Sequence, residues 1–386
     1  MSKSRIWKIG EKNRIIDNIV DAMTSRHHFL LLGHKNPDDD CIAAMISCAL
    51  ILHMFYKNAI ILIGGQIHER FRYLLDICRY NSIRILDADS RPPQAVDTVV
   101  VVDTPKPSMI EAGRGAALLD NPEILRIELD HHLGADSEYI GDKGYRLVTE
   151  ASSTCELVGH LLLKLRNKKA LLERHQITEL FPRNLVLTIL TGIVGDSNMG
   201  QFLKSRREKR YYEIFSGMFN QLLSQRTTKS TNFYSKEDVY KELQSLSAEE
   251  SACFTDMMAE KRVSASIGYV ALSEAKSATL FASYGDDTVV STARIVADRL
   301  AEDSGLLGLV AYFDSAAKGG LVQFRIRRSG QYKKLDLRTL LALFSLSNGG
   351  GHEGAIGFRM PPAEVGDFEA FVTRIVEGTE TAIKQA

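Results

Sequence analysis

Ile124-Leu125-Arg126-Ile127-Glu128-Leu129-Asp130-His131-His132 is the stretch that decides how this chain folds. An apolar run of strand length stops at a carboxylate and two imidazoles, which sets three metal-capable side chains at the C-terminal edge of a sheet, where open α/β folds hold their ligands. Three further clusters fall at comparable places. Phe29 to Gly33 reads as a strand and is followed by His34-Lys35-Asn36-Pro37-Asp38-Asp39-Asp40, after which Cys41 to Tyr56 has the apolar spacing of a buried helix. Thr98 to Val102 reads as a central parallel strand that halts at Asp103-Thr104-Pro105, because proline bars further ladder bonding. Asn184 to Val194 is an apolar helical stretch that ends in Gly195-Asp196-Ser197-Asn198-Met199.

Any one of these acids has an ordinary reading as a turn former or helix cap. Asp38, Asp39 and Asp40 would stabilise the start of the following helix through its dipole. Independent capping does not account for His34, His131 and His132 recurring at the same ends, so the clusters together read as a metal centre. Carboxylate-rich sites with a minority of imidazole suit Mn²⁺, Mg²⁺ or Fe²⁺, with Mn²⁺ the first choice, and the lack of any Cys-x-x-Cys pair argues against structural zinc. This much negative charge at one spot needs more than one divalent ion to balance it. Two metals sharing a carboxylate are expected, and such sites serve phosphate ester or anhydride cleavage.

In motif order the chain resembles the DHH phosphoesterases: His34-x-x-Pro37-Asp38-x-Asp40, then Asp103, then Asp130-His131-His132, then Thr191-Gly192-Ile193-Val194-Gly195-Asp196. Ala151-Ser152-Ser153-Thr154-Cys155-Glu156-Leu157 is similar to the family's Ser-Ser-Thr stretch, and Gly349-Gly350-Gly351-His352 to a motif of the DHH-associated C-terminal domain. The resemblance implies that His34 and Asp38 hold one metal and that Asp40, His131 and Asp196 hold the other, with Asp103 bridging. It makes Asp130 the partner that fixes the tautomer of a neighbouring imidazole, and sets His132 facing the scissile phosphate, as a donor to a non-bridging oxygen or an aid to the leaving group. The implied reaction is in-line attack of water on phosphorus without a covalent enzyme intermediate. Two departures stand out. Asp39 replaces a small residue, and a structural role is expected of it; Asn198-Met199 replaces the usual Thr-Gly continuation and alters the wall of that loop.

The glycine triplet before His352 would let backbone N–H groups approach an anion, with His352 as a further donor. In the strand-like run Leu321 to Ser329, alternation puts Arg325 and Arg327 on one face and Arg328 with Phe324 and Ile326 on the other. Arg328-Ser329 matches the family's Arg-Ser pair, so Arg328 is the candidate phosphate clamp. Gly349, Gly350, Gly351, His352 and Arg328 are therefore the expected substrate-binding residues, and the resemblance locates the active site in a cleft between two domains.

With 386 residues the chain has room for two domains, and its 45% hydrophobic content is ordinary for globular proteins. Lys plus Arg equals Asp plus Glu at 48 each, so no global field draws in long polyanions, and a small phosphorylated ligand fits better. The basic run Lys204 to Arg210 reads as a solvated helix face. No apolar stretch reaches transmembrane length, the N-terminus lacks a signal-peptide core, and the five cysteines are unpatterned. A cytoplasmic protein with reduced thiols and no membrane partner is expected.

The fold class expected is α/β: a parallel-sheet catalytic domain over residues 1–203 with helices on both faces, a helical connector over 204–261, and a smaller α/β substrate-binding domain over 262–386. Within the family the resemblance is to the nanoRNase type. It implies a Mn²⁺-dependent phosphodiesterase that hydrolyses di- to penta-nucleotides and linear dinucleotides to mononucleotides, with a homodimer as a further expectation. The alternatives are cyclic dinucleotide hydrolysis, adenosine 3′,5′-bisphosphate dephosphorylation, single-strand exonuclease action, or a non-catalytic nucleotide sensor.

Overall fold

A computed structural model describes residues 2–64, 67–225, 233–315, 319–346 and 348–385, with the backbone alone at 135, 136, 223–225 and 352. The chain divides into two compact units, Met1–Ser245 and Leu246–Ala386. In chain order the first contains β1 (Ser2–Lys3), α1 (Ile9–Ser25), β2 (His28–Leu32), α2 (Asp39–Met54), β3 (Asn58–Ile63), α3 (Arg72–Tyr80), β4 (Arg84–Asp87), β5 (Thr98–Val102), α4 (Ala116–Leu119), β6 (Leu125–Asp130), β7 (Gly134–Glu138) and β8 (Arg146–Val148). It continues through α5 (Thr154–Leu165), α6 (Lys169–Arg174), α7 (Arg183–Asp196), α8 (Arg206–Gln225) and α9 (Lys236–Leu243).

Six strands form one sheet in the order β4-β3-β2-β5-β6-β8, and every pairing in it is parallel. A parallel strand buried on both faces is apolar throughout rather than alternating. Accordingly Phe29 to Leu32 and Thr98 to Val102 are buried at every position. Phe29, Leu31, Val100 and Ile127 point into the larger core, shared with α1, α2, α5 and α7. Leu30, Leu32, Val99 and Val101 point into a smaller one, closed by Leu86, Ile110, Ala112 and Ile124 with Leu118 and Leu119 of the short α4. Helix α2 is buried continuously from Asp40 to Leu52, which explains why its sequence is apolar around its whole circumference. Each fully buried Leu or Ile on it contributes roughly 1.5–3 kcal/mol relative to exposure.

The second unit comprises α10 (Ala248–Met258), β9 (Lys261–Val263), β10 (Ile267–Ala271), α11 (Glu274–Ser304), β11 (Leu307–Phe313), β12 (Val322–Arg328), α12 (Arg338–Leu343), β13 (Gly349–His352), β14 (Ala355–Met360), α13 (Pro362–Val365) and α14 (Phe368–Gln385). Its six-stranded sheet has the order β13-β14-β12-β11-β10-β9, with only β10 and β11 parallel. One face packs on α14, through Phe371, Val372 and Ile375, and the other on α10 and α11. The span read as a connector is shared out: α8 and α9 belong to the first unit, where Phe215, Phe219 and Val239 enter its core, and α10 belongs to the second.

Candidate metal centre

Four segment ends converge at the carboxyl edge of the parallel sheet. His34 follows β2, Asp103 follows β5, Asp130-His131-His132 end β6, and Asp196 closes α7. Two helix starts meet the same place. Asp38 is the N-cap of α2, accepting from Cys41 N at 3.1 Å, and Asp40 points from the first turn of α2 toward the start of α5. There its two oxygens accept from Thr154 N at 2.6 Å and Cys155 N at 2.9 Å, so a helix N-terminus holds an otherwise fully buried carboxyl group.

Asp103 is the hub. Its Oδ2 lies 3.7 Å from His34 Nε2, and its Oδ1 lies 3.3 Å from His131 Nε2 and 3.6 Å from His132 Nδ1. Thr154 Oγ donates to that same Oδ1 at 3.0 Å. The backbone at Asp103 turns left-handed, with φ +48, a conformation aspartate tolerates better than most residues. Its N–H donates to Leu129 O at 3.0 Å, so the turn is tied to the neighbouring strand.

The remaining expected ligands close around this hub. His34 Nε2 is 3.6 Å from Asp38 Oδ1, and His131 Nε2 is 3.3 Å from Asp196 Oδ2. Asp40, His131 and Asp196 offer ligand atoms all within 4.8 Å of one another. Both ligand imidazoles spend Nδ1 on a backbone carbonyl, His34 on Lys35 O at 2.9 Å and His131 on Ala151 O at 3.3 Å, which leaves each Nε2 toward the carboxylates. His132 differs: its Nδ1 donates to Asp130 Oδ1 at 2.8 Å.

The electrostatics identify a site that wants positive charge. Burial, and then the neighbouring Asp103 charge, push Asp40 well above the carboxylate range; burial and then Asp40 do the same to Asp196. Burial opposes protonation of His131, yet its hydrogen bond to Asp103 and the Asp196 charge overcome this and hold its pKa well above the usual imidazole value. Divalent cations would relieve this crowding, and two imidazoles with four carboxylates form a donor set that such ions accept. Cys41 also lies near His34 and Asp103, but burial pushes its thiol up to about 12, so it is a packed thiol beside the cluster.

Close approach explains two glycines of the Thr191–Asp196 motif. A Cβ on Gly192 would sit 2.3 Å from Asp40 Oδ1 and 2.4 Å from Cys155 Sγ, and one on Gly195 would collide with the Asp39 carboxylate. Asp39 therefore packs against α7, and burial followed by the Asp38 charge raises its carboxyl to about 7. The Asn198-Met199 departure is also held in place. Both residues are left-handed, Tyr240 hydroxyl donates to Asn198 Oδ1, and Tyr212 hydroxyl donates to Met199 O at 3.2 Å. These tyrosines come from α8 and α9, so the helices that follow α7 buttress this loop. Arg207, from the basic run, has its Nη2 3.1 Å from Glu156 Oε1, and the other oxygen of Glu156 accepts from Ser152 N and Oγ; it thus supports the Ser-Ser-Thr turn.

Sequence reasoning missed Lys3. Its ammonium is buried at the back of the site, with Asp130 Oδ2 at 2.5 Å, Thr104 O at 2.6 Å and Glu128 Oε1 at 2.8 Å. No local pattern marks it, since its partners are about 100 residues or more away along the chain. Thr154 and Cys155 were seen as part of a motif but not as the donors that hold Asp40.

In the second unit Arg328 is buried and donates from Nη1 to Leu335 O at 2.7 Å, with Nη2 3.7 Å from Glu353 Oε1. Arg327 pairs with Asp298 at 3.3 Å. Gly349, Gly350 and Gly351 form an edge strand paired antiparallel with β14. Gly351, at φ +141, would drive a Cβ to within 2.1 Å of Ala355 O. The His352 side chain lies outside the described residues.

Residues 28–193 match the DHH family, N-terminal domain. Among solved structures, the chain is similar to an exopolyphosphatase-related protein from Bacteroides fragilis, with a TM-score of 0.61, 16% identity, and coverage of 97% of this chain and 96% of that one. Exonuclease RecJ bound to manganese superposes with a TM-score of 0.48 at 16% identity, over 98% and 96% of the two chains. No curated protein matches in sequence. The family match spans His34 to Asp130-His131-His132 and reaches into α7, and the all-parallel sheet sets these residues at one edge: residues 28–193 match a DHH-family N-terminal domain, in a chain that shares its fold with that exopolyphosphatase-related protein.

Proposed function

We propose that this protein is a metal-dependent phosphodiesterase that hydrolyses short oligonucleotides and linear dinucleotides, of two to about five residues, to mononucleotides. The observation that carries the reading is the convergence on Asp103 of two ligand groups, His34 with Asp38 and Asp40 with His131 and Asp196, beside a third histidine held by its own carboxylate.

Two divalent ions, Mn²⁺ by the donor set, would supply Lewis acidity and a lowered pKa for the attacking water. His34 and Asp38 would hold one, Asp40, His131 and Asp196 the other, with Asp103 between them. The protein's own contribution is positional. Thr154 and Cys155 fix Asp40, Ala151 and Lys35 fix the two ligand imidazoles, and Asp130 orients His132 so that its Nε2 is available to a phosphoryl oxygen or to the departing oxygen. Gly349, Gly350, Gly351, His352 and Arg328 are assigned to substrate binding in the second unit. The balanced charge of the chain supports a short substrate over a long strand. A cytoplasmic location belongs to the same reading, and among the described residues no helix is long and apolar enough to cross a membrane.

The test offers the purified protein, with Mn²⁺ and with chelator, linear and cyclic diadenylate, a pentanucleotide, adenosine 3′,5′-bisphosphate, pyrophosphate and a long single strand, and resolves the products by chromatography. Rapid, metal-dependent release of mononucleotides from the short linear substrates is expected. Inertness toward all of them with turnover of pyrophosphate would overturn the proposal.

A further inference from the structure

Lys3 occupies a position that a surface lysine does not. Its side chain is fully buried, as are those of Glu128 and Asp130, and three oxygens lie within 2.8 Å of Nζ: Asp130 Oδ2 and Thr104 O as hydrogen-bond acceptors and Glu128 Oε1 as an ion-pair partner. The residue is brought there by β1, which pairs antiparallel with β7 and whose Lys3 N–H also meets Ser137 Oγ at 3.3 Å. The contacts join two strand ends of the site. Thr104 follows the hub Asp103 just past the end of β5, and Asp130 ends β6 just before His131.

The two oxygens of Asp130 are divided between two partners. Oδ2 faces Lys3 Nζ at 2.5 Å, and Oδ1 accepts from His132 Nδ1 at 2.8 Å and from His132 N at 3.2 Å. A carboxylate gripped on one oxygen has no freedom to swing about its Cβ–Cγ bond, so the other oxygen keeps one direction. Burying a lysine is costly unless its charge is met, and here two carboxylates and a backbone carbonyl surround it, with hydrogen bonds to Asp130 Oδ2 and Thr104 O and an ion pair to Glu128.

We propose that Lys3 is a positioning residue for His132: by clamping Asp130 Oδ2 it fixes Asp130 Oδ1 as the acceptor of His132 Nδ1–H, and so keeps His132 Nε2 turned outward for substrate. Removal of Nζ frees the Asp130 carboxylate to rotate, and the imidazole loses its single anchored tautomer. Glu128 has a different role. Its Oε2 accepts from Ile140 N at 3.1 Å and Gly141 N at 3.0 Å, so it holds a turn as well as the ammonium.

This inference rests on the phosphodiesterase reading for its kinetic arm only. The test compares wild type, Lys3→Met, Lys3→Gln and Lys3→Arg by ¹⁵N-histidine correlation spectroscopy, with the His132 signals assigned by their loss in His132→Gln, and in parallel by turnover and by Mn²⁺ titration calorimetry. Wild type should show a single Nδ1–H tautomer for His132, and Lys3→Met a mixture. kcat should fall about tenfold or more with KM and Mn²⁺ affinity within about threefold, and Lys3→Arg should recover part of both signals. If Lys3→Met does not fold, Lys3→Gln is read by the same criteria. A His132 tautomer that is unchanged in the folded Lys3 variants, or is Nε2–H in wild type, overturns the proposal. Absence of turnover in wild type counts against the phosphodiesterase reading and leaves the tautomer measurement to decide the role of Lys3.

Discussion

Replacing Gly192 by alanine tests whether the close approach of α7 to Asp40 is what shapes the centre. By helix propensity alone the change stabilises, by about 1 kcal/mol. The structure opposes this: the new Cβ would sit 2.3 Å from Asp40 Oδ1, 2.4 Å from Cys155 Sγ and 2.7 Å from Cys155 Cβ. Relief requires Asp40 or the start of α5 to retreat by about an ångström, which stretches the Thr154 and Cys155 bonds to Asp40. Overpacking of this kind costs about 1–3 kcal/mol, and each weakened hydrogen bond to a charged group about 1 kcal/mol more. The net expectation is a loss of about 2–4 kcal/mol, or about 4–16 °C in Tm for a unit of this size. Because Asp40 is displaced, Mn²⁺ affinity should fall about 10- to 100-fold, as it does when a ligand's supporting partner is lost. Gly217→Ala is the control: it lies on the exposed side of α8, an added Cβ meets nothing within 4 Å, and it should gain about 0.5–1 kcal/mol. Thermal melts in chelator and Mn²⁺ calorimetry read both variants. If Gly192→Ala is stabilised as much as Gly217→Ala and binds Mn²⁺ as wild type does, the steric reasoning is refuted.

In chelator, stability should fall as pH rises from about 4. Asp39, Asp40 and Asp196 have folded pKa values raised above the unfolded aspartate value, Asp39 to about 7, so the stability they contribute is complete below the unfolded value and is lost as pH climbs through the folded ones. His131 is raised too and acts in the same direction at higher pH, so Mn²⁺ should increase Tm more at pH 8 than at pH 5, and a pH-independent increment would contradict this. At neutral pH a metal concentration of 100 Kd should add about 2.7 kcal/mol, checked by melts with and without chelator. Asp103→Ala, which removes the carboxylate common to both ligand groups, should lower turnover more than any other single ligand change; near-wild-type activity would refute a shared ligand. His132→Gln should lower kcat while leaving Mn²⁺ affinity nearly unchanged, and a matching loss of affinity in calorimetry would make His132 a ligand instead.

The strands from Phe29, Thr98 and Ile124 were legible because doubly buried parallel strands are written as unbroken apolar runs, and the buried helices at Cys41 and Asn184 because their apolar spacing is dense. Strands β4 and β8 escaped notice: Arg84 to Asp87 and Arg146 to Val148 are short edge strands with mixed polarity. The pairing of the glycine triplet with β14 was not legible, because local flexibility says nothing about a partner strand. Alternation did place Arg328 on the same face as Phe324 and Ile326, where it is buried.

By itself the sequence determined the inventory of the centre and the ends of the elements that bear it, since strand and helix periodicities are local and a terminating carboxylate or histidine can be read where the pattern stops. Only the tertiary structure decided how those residues are supported. That Thr154 and Cys155 hold Asp40, that Gly192 must lack a side chain, that Tyr240 and Tyr212 brace the Asn198-Met199 turn and that Lys3 grips Asp130 are all contacts between segments far apart in the chain. Hydrogen bonds and ion pairs act over about 3 Å in space and impose no period along the chain, so these partners acquire meaning only when the sheet brings them together.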